Sequence, residues 1–448
     1  MANTYLTRTP SSNGNQKIWT WSGWIKINGK SGDSTYQYLW EAYYGNSYRY
    51  SYACLRHGTI EVYGGDYTTG GSSSMSFDVT TTRLLRDPNA WYHIVVAMDT
   101  TQSTSTDRLK IYINGVQETS FQGYVGSGAS ATFPAQDDVT FFNVTTTSNR
   151  IGKAFDGSMS HVHFCDGQQL APTVFGSTDT NGQWKINTSP SFTPGTNGFT
   201  VLKDGDTITD QSANSNNFSL GAGTLTKTED CPSNVYCTFN PLIPQGLAYA
   251  NGNLSATHNA SSWKTAYGTI AMSGTGKYYF ESKVSTLGSY QGVGIVDAEQ
   301  ISAGASKFGA VSRGYGYKND GSKTNNNSDA SYGATYTTGD IIGCALDLTN
   351  GAIYFSKNGA WQNSATTGEI AAGTTTNAAY TSISSSYVYL PAVQIYGSGT
   401  NQFNAGNGFF GTTAVSSVQN PSSGDTSAEF EYTPPTGFQP ITTKGLNA

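Results

Sequence analysis

The chain has 448 residues, only 12% of them charged, and a formal net charge of −6 at pH 7. This length predicts two or more domains, and the acidic balance with scattered Lys and Arg argues against a nucleic-acid-binding surface. The sequence has no run of about 20 apolar residues, which a membrane-spanning helix needs. With 52 Gly and 29 Tyr among many Thr, Val, Ile, Phe and Trp residues, the composition is typical of short strands joined by tight turns. We therefore expect an all-β protein.

The first segment, residues 1–175, contains runs in which apolar and polar residues alternate. A period of two indicates half-buried strands. The clearest runs are residues 19–27, 91–98 and 109–113. Asn114-Gly115 follows the third run, and both residues tolerate positive φ, so the pair predicts a two-residue hairpin turn.

The motifs of this segment occur in the order typical of one family. An aromatic opening strand is followed by W-x-H-I-x-V at residues 91–96, K-I-Y-I-N-G at residues 110–115 and a closing G-x-M-S-x-V-x-F strand at residues 157–164. Together they resemble a laminin-G-like, or concanavalin A-like lectin, domain. The resemblance implies two packed antiparallel sheets.

Residues 176–245 are rich in Asn, Thr and Gly but contain embedded aromatic residues, which predicts an ordered connector pinned to its neighbours. The passage into this connector, residues 164–184, resembles a module that recurs in structural proteins of marine bacteriophages. The run Thr238-Phe239-Asn240-Pro241-Leu242 resembles the same module. The resemblance implies a protein of a phage particle.

Residues 246–410 predict a second sandwich of short alternating strands. Its motifs, in chain order, are Y-Y-x-E at 278–281, G-V-G-I at 292–295, a glycine–tyrosine strand at 314–317, G-D-x-I-G at 339–343, K-N-G at 357–359 and L-P-A-V at 390–393. This order resembles a SPRY domain. The resemblance implies a bent β-sandwich that binds partners through loops and has no catalytic activity. We therefore expect two concanavalin-like antiparallel β-sandwiches of the jelly-roll type.

The last segment, residues 411–448, contains Pro434-Pro435, which favours an extended backbone. We expect a C-terminal strap that returns along the second sandwich or reaches a neighbouring subunit. The predicted order is thus a first sandwich, a connector, a second sandwich and a strap.

Tyrosines are concentrated where we expect recognition, because tyrosine combines rigid apolar area with a hydroxyl and suits both sugars and protein interfaces. The predicted ligand-binding residues are Tyr44, Tyr48, Tyr50, Tyr315, Tyr317 and Trp361. The first three flank a predicted turn, and the last three lie where SPRY domains build their binding surface. Alternation places Tyr36, Tyr38 and Trp40 on one strand face. The alternative is that these aromatic side chains fill a face of the sandwich.

Glycoside hydrolases also use a concanavalin-like sandwich, and retaining enzymes need two carboxylates about 5 Å apart. The E-x-D-x-x-E strand of the sandwich-fold glucanases is absent from the sequence. The nearest pairs, Glu61 with Asp66 and Asp137 with Asp138, have the wrong spacing or lie in loops. We therefore expect no enzymatic activity. A polysaccharide-degrading hydrolase is the alternative, because carboxylates of distant strands could still meet.

We expect no cofactor and no metal. His161 and His163 alternate on one predicted strand and so share a side, where they either pack or bind a metal with a third ligand. His93 lies in a core strand pattern and is predicted to be structural. The alternative metal is Ca²⁺ at a sandwich rim, held by acids from the set Asp99, Asp156, Asp204 and Asp206.

The five Cys residues lack regular spacing, which argues against a disulfide framework. Cys231 and Cys237 are close enough in sequence to close a short loop. Cytoplasmic assembly would keep both thiols reduced.

These observations predict a virion structural and recognition protein of a bacteriophage: a capsid decoration, head fibre or tail fibre component. Expected partners are other virion proteins and a host surface glycan, in a symmetric homo-oligomer such as a trimer. The start of the sequence lacks the charged-then-apolar plan of a signal peptide, so we expect assembly in the host cytoplasm and a place on the virion surface. A secreted bacterial adhesin is a further alternative.

Overall fold

The computed structural model describes residues 4–28, 35–44, 49–67, 73–124, 127–203, 207–243, 245–301 and 307–444, with only the backbone of residues 49, 50, 66, 67 and 73–75. Strands dominate these residues, with two short α-helices and three 3-10 turns, so the predicted all-β class is confirmed. The chain divides into two units, Met1–Lys227 and Thr228–Ala448. No helix in the described ranges is long and apolar enough to cross a membrane.

The first unit is built from sixteen strands within the described residues. They are β1 (Tyr5–Arg8), β2 (Ile18–Ile27), β3 (Gln37–Tyr43), β4 (Arg49–Arg56), β5 (Thr59–Tyr67), β6 (Ser73–Thr81), β7 (Trp91–Asp99), β8 (Leu109–Ile113), β9 (Val116–Gln117), β10 (Phe121–Gln122), β11 (Ser148–Ile151), β12 (Gly157–Asp166), β13 (Gly176–Thr178), β14 (Trp184–Ile186), β15 (Phe199–Val201) and β16 (Ser219–Ala222). Helix α1 spans Ser105–Arg108, and a 3-10 turn spans Pro172–Val174.

Two antiparallel sheets pack on one core in this unit. The eight-stranded sheet has the order β10-β6-β5-β4-β3-β11-β1-β16, and the six-stranded sheet has the order β15-β12-β2-β7-β8-β9. Trp19 of β2 and Trp40 of β3 meet edge to face in the core, with ring centroids 5.2 Å apart. A pair of this geometry contributes about 1 kcal/mol beyond the burial of its surface. These buried rings hold the two sheets together.

The hairpin predicted at Asn114-Gly115 is confirmed. It joins β8 and β9, with φ of 50° at Asn114 and 76° at Gly115. Both angles lie in the left-handed region that a two-residue turn of this type requires. The Asn114 side chain also accepts a hydrogen bond of 2.8 Å from the backbone N–H of His93, which ties the turn to β7.

The predicted connector, residues 176–245, is not a separate segment. Strand β15 extends the six-stranded sheet by pairing with β12, and β16 extends the eight-stranded sheet by pairing with β1. The part up to Lys227 therefore belongs to the first unit, and the part from Thr228 onward belongs to the second. The expectation that this segment is ordered holds, but its boundaries are corrected, because its strands complete the first sandwich.

The second unit contributes thirteen strands within the described residues. They are β17 (Ala248–Ala250), β18 (Ser255–Tyr267), β19 (Lys277–Thr286), β20 (Tyr290–Asp297), β21 (Gly314–Lys318), β22 (Ser322–Asn325), β23 (Ser328–Ser331), β24 (Ile341–Asp347), β25 (Ala352–Lys357), β26 (Ala360–Trp361), β27 (Tyr389–Asn404), β28 (Phe409–Phe410) and β29 (Thr413–Ala414). Helix α2 spans Thr367–Ala372, and 3-10 turns span Ala298–Gln300 and Phe308–Ala310.

The long strand β27 organises the second unit. Along one edge it pairs with β18 over most of its length. Along the other edge its first half pairs with β20 and its last residues pair with β19. The resulting antiparallel sheet continues to β23 on one side and to β26 on the other. One strand thus joins both halves of the sandwich around a shared core.

The predicted strap packs along its own sandwich. Its backbone accepts a hydrogen bond of 2.9 Å at Ile441 from the N–H of Cys237, and Gln439 donates one of 2.9 Å to Lys277. Phe430 and Phe438 of the strap are fully buried in a core cluster with Tyr279 and Tyr354. Of the two predicted courses for the strap, the structure therefore shows the return along the second sandwich.

Candidate functional site

The outer face of the eight-stranded sheet carries a tyrosine cluster, which consists of Tyr36, Tyr38, Tyr52 and Tyr63. Tyr36 and Tyr38 stack with centroids 6.0 Å apart, and Tyr52 and Tyr63 stack at 5.1 Å. The Arg56 guanidinium lies 4.3 Å from the Tyr36 ring centroid and completes the cluster through a cation–π contact. Because the rings hold one another, a ligand that binds here meets a surface that is already ordered.

The predicted sharing of one face by Tyr36, Tyr38 and Trp40 is wrong. The pairing of β3 with β4 shifts register between Tyr38 and Trp40, which is a β-bulge at Leu39. The extra residue turns Trp40 into the core, where it is fully buried, while Tyr38 stays in the outer cluster. Sequence alternation cannot reveal a bulge, because the bulge depends on the partner strand.

Of the three predicted binding residues of the first unit, Tyr44 is the one whose side chain the structure describes. Tyr44 follows β3 and is 38% exposed, so its ring is available to a partner. Tyr48 lies outside the described residues, and for Tyr50 the side chain lies outside them. Their role in binding stays a prediction.

Two buried acids lie beside the tyrosine cluster. Glu61 and Asp78 are diagonal neighbours on one face of β5 and β6. Burial raises the pKa of both carboxyl groups, that of Asp78 to about 6. Glu61 is fully buried and accepts a hydrogen bond of 2.7 Å from the Tyr52 hydroxyl. This pair shows that acids of separate strands do meet, but Glu61 has no exposed surface.

His93 is a structural histidine, as predicted. Its ring stacks on Trp24 and on Trp184, with centroids 4.9 and 5.9 Å away. The Trp184 indole N–H donates to His93 Nδ1 over 3.1 Å, so Nε2 carries the proton that faces the Ser22 hydroxyl 2.9 Å away. Burial lowers the pKa of His93 to about 3. The imidazole is therefore neutral and fully satisfied.

His161 and His163 of β12 are both buried. Their rings are 6.4 Å apart, and His163 Nδ1 lies 2.9 Å from the Thr200 hydroxyl. His163 also stacks on Phe175, and its burial lowers its pKa to about 3. Among the described residues, no three His, Cys, Asp or Glu side chains lie close enough to hold a metal ion. The packing interpretation of these histidines is therefore the better supported one.

The acids considered for Ca²⁺ have local roles where they are described. Asp99 accepts three hydrogen bonds from Thr101 and Gln102, and Asp156 accepts one from Asn28. Asp204 and Asp206 lie outside the described residues. The Asp99 carboxylate is thus used in a turn, whereas the Asp156 carboxylate bonds to a residue that is distant in sequence.

Cys231 and Cys237 are not bridged in this structure, where both are free thiols. Cys237 is fully buried and accepts a hydrogen bond from the backbone N–H of Ile270, while the Cys231 sulfur lies beside the Ser233 hydroxyl. The two side chains therefore have separate environments.

The predicted cluster of the second unit is not a single surface. Tyr317 is fully buried among Tyr332, Tyr336 and Phe355, so its prediction as a binding residue is corrected: its ring belongs to the core. Tyr315 is half-buried against the same core, whereas Trp361 packs beside Tyr279 on a different one. Tyr315 and Tyr317 lie two residues apart on β21, so their side chains share the strand face that covers the core.

A third aromatic group was not predicted from the sequence. Trp263 of β18, Tyr396 of β27 and Tyr290 of β20 lie side by side on three adjacent strands. We call this group the aromatic row. Each residue lies in an alternating run, which was the available signal. Only the tertiary structure shows that these three strands are neighbours. The aromatic row therefore could not be predicted from the sequence alone.

Comparisons with known proteins give short matches. The Ran-binding proteins 9/10 homolog of Drosophila melanogaster is 35% identical over 105 residues, which cover 22% of this chain and 10% of that protein. The ATP-dependent RNA helicase Ddx1 of the same organism is 32% identical over 97 residues, 22% of this chain and 13% of that protein. The chain thus matches a small fraction of the length of these relatives.

Solved structures similar to this chain include the SPRY domain of human HERC1, with 19% identity, a TM-score of 0.29, and 37% of this chain and 96% of that chain covered. Stonustoxin matches with 17% identity, a TM-score of 0.26, and coverages of 38% and 27%.

Two family models match separate parts of the chain. The model of the concanavalin A-like lectin/glucanases superfamily matches residues 2–174, and the SPRY domain model matches residues 277–408. The matched ranges fall in the first and second units, respectively. The chain therefore contains a concanavalin A-like domain followed by a SPRY domain.

Proposed function

We propose that this protein is a non-enzymatic recognition protein of the outer surface of a bacteriophage particle (a capsid decoration, head fibre or tail fibre component). In this role it binds a host glycan or neighbouring virion proteins. The observation that carries the proposal is the tandem of a lectin-like domain and a SPRY domain in one chain. The phage origin rests on the sequence resemblance of residues 164–184 and 238–242.

Two features of the first unit support recognition: its tyrosine cluster and the exposed Tyr44. Tyr36 and Tyr38 are half-buried and held by stacking, so little side-chain entropy remains to be lost on binding. The ring of Tyr44, which follows β3, is exposed and open to a partner as well. Such aromatic side chains often contribute most of the binding energy at an interface.

A protein partner is supported by the names of the relatives that this chain matches. Several of them carry the name Ran-binding protein, with 35% identity over 88 residues in the mouse and human proteins. In the proposed role the corresponding partner is a virion protein, in a symmetric homo-oligomer such as a trimer.

Purified particles test the proposal. We expect the protein in particles freed of host material, detected by mass spectrometry and located by cryo-electron microscopy on the outer surface. Recombinant protein should bind host cells, and Tyr44→Ala should weaken that binding. Val116→Ala, a change at a residue that is 58% exposed in the same unit, is the control. Absence of the protein from the particles would reject the proposal.

A polysaccharide-degrading hydrolase remains the second candidate because Glu61 and Asp78 share one sheet face and both have a raised pKa. Burial of Glu61 weakens this candidate, since a general acid must reach the glycosidic oxygen. Release of reducing ends from host polysaccharide by the wild type, lost in Glu61→Gln, would establish hydrolysis. We expect no release from either protein.

A further inference from the structure

The aromatic row crosses three adjacent strands of the second unit. Trp263 pairs with Tyr396 across β18 and β27, and Tyr396 pairs with Tyr290 across β27 and β20. Ring centroids are 5.4 Å apart for Trp263 and Tyr396 and 6.1 Å apart for Tyr396 and Tyr290. The three rings therefore form one compact aromatic patch on one sheet face.

The row is open to solvent and yet ordered. Tyr290 is 47% exposed, and the other two rings are partly exposed. Trp263 and Tyr290 are also within 6.1 Å of each other, so each ring contacts both of the others. A contiguous patch of exposed aromatic surface is typical of a binding site. Because the rings pack on one another, their side chains lose little conformational entropy when a ligand binds.

A positive charge lies beside the aromatic row. The Lys307 ammonium is 5.8 Å from the Trp263 ring centroid, in the geometry of a cation–π contact. Lys307 has no acidic partner among the residues that the structure describes. The charge therefore repels cationic ligands and attracts an anionic group that approaches the rings.

The size of the row argues against a protein occupant. Three aromatic side chains in this state of exposure offer at most roughly 300 Å². A stable protein interface buries about 800 Å² on each partner. A row of flat rings with one ammonium instead matches a ligand that is flat, narrow and acidic.

We propose that Trp263, Tyr396, Tyr290 and Lys307 form a binding site for an acidic polysaccharide. The apolar face of a sugar ring packs on the aromatic row, and a sugar carboxylate of the same chain pairs with the Lys307 ammonium. The tyrosine hydroxyls supply donors and acceptors for the sugar hydroxyls. This inference rests on the proposed recognition function. It names a ligand class and a binding site in the second unit of the protein.

Binding of the full chain to alginate, a polymer of uronic acids, tests the proposal, with dextran as the neutral polymer. In affinity electrophoresis we expect alginate to retard the wild type more than dextran does, and added salt to weaken alginate binding. Tyr290→Ala should lower the affinity for alginate about tenfold because a stacking ring is lost. Lys307→Gln should lower it about fivefold and leave dextran binding unchanged.

Lys264→Gln is the matched control, because Lys264 follows Trp263 on β18 and pairs with Ile395, whose side chain lies in the core on the other sheet face. Tyr290→Phe keeps the ring but lacks the hydroxyl, so it should bind more tightly than Tyr290→Ala and less tightly than the wild type. Thermal unfolding of each variant shows whether it is folded.

Three results would overturn the inference: no alginate binding by the wild type, wild-type binding by both Tyr290→Ala and Lys307→Gln, or loss of self-association in place of polysaccharide binding. None of these results bears on whether the protein is present on particles. Failure of this site and failure of the proposed function are therefore distinguishable.

Discussion

Neutral His93 makes the stability of the first unit depend on pH. Its pKa falls from 6.5 in the unfolded chain to about 3 in the fold because burial disfavours the imidazolium. A proton on Nδ1 would also face the Trp184 N–H that now donates to it. The unfolded state therefore binds more protons below pH 6.5, and stability is lost as the pH falls toward 3. At pH 5 this loss is about 2 kcal/mol.

His93→Phe isolates this contribution. Phenylalanine keeps a ring between Trp24 and Trp184 but cannot be protonated. It leaves the Ser22 hydroxyl and the Trp184 N–H unpaired, so at pH 7.5 the variant should be less stable by about 1–3 kcal/mol. Between pH 7.5 and pH 5 the difference from the wild type should shrink by about 2 kcal/mol.

Urea unfolding at pH 7.5, 6.5 and 5.0 measures this change by tryptophan fluorescence. Six of the eight tryptophans lie in residues 1–227, so the signal reports mainly on the first unit. Acid-dependent stability contributed by His163 is common to both proteins and cancels in the difference. His57→Gln, at a half-buried histidine of the same unit, is the control. If the stability of His93→Phe falls between pH 7.5 and pH 5.0 as much as that of the wild type, the pH dependence does not come from His93 and the prediction is refuted.

Three further predictions concern buried groups. Burial raises the pKa of Glu281 to about 7, although the backbone N–H groups of Glu431 and Tyr432 donate hydrogen bonds to its carboxylate. The free energy of unfolding of the second unit should therefore fall by about 3 kcal/mol as the pH rises from 4.5 to 7. Glu281→Gln should abolish this slope in urea unfolding, and a retained slope would contradict the assignment. Tyr317→Ala should lower the stability measured by thermal unfolding by about 3–5 kcal/mol, because the Tyr317 ring is buried. Tyr44→Ala should change the stability by less than about 0.5 kcal/mol, because the Tyr44 ring is exposed. Equal effects of the two substitutions would contradict this difference in burial. Gly115→Ala should destabilise the first unit by about 1–3 kcal/mol, because φ is positive at this position and a Cβ there would clash with the Trp184 ring. Unchanged fluorescence and stability of this variant would argue against the contact.

The sequence predicted the local elements of this protein well. The alternating runs became strands, and Asn114-Gly115 became the expected turn, because both patterns depend on residues that are adjacent in the chain. The ordered motifs also identified both domain families, since family motifs are short and local. His93 was recognised as structural because an alternating apolar strand surrounded it.

Predictions that needed a partner strand were less successful. A bulge opposite β4 sent Trp40 into the core and left Tyr38 outside, and the alternation within β3 carries no mark of it. Tyr317 is buried because Tyr332, Tyr336 and Phe355 converge on it from other strands. The sheet positions of β15 and β16 likewise depend on distant residues, so the predicted connector could not be divided from sequence.

What the sequence by itself determined was the all-β class, the two sandwiches and their order along the chain, because strand period and turn chemistry are local properties. The tertiary structure alone decided which aromatic side chains became core and which became surface. It also brought Trp263, Tyr290 and Tyr396 together from strands that are distant in sequence. Sheet order and register set these neighbours, and both follow from the packing of the whole domain rather than from any single segment.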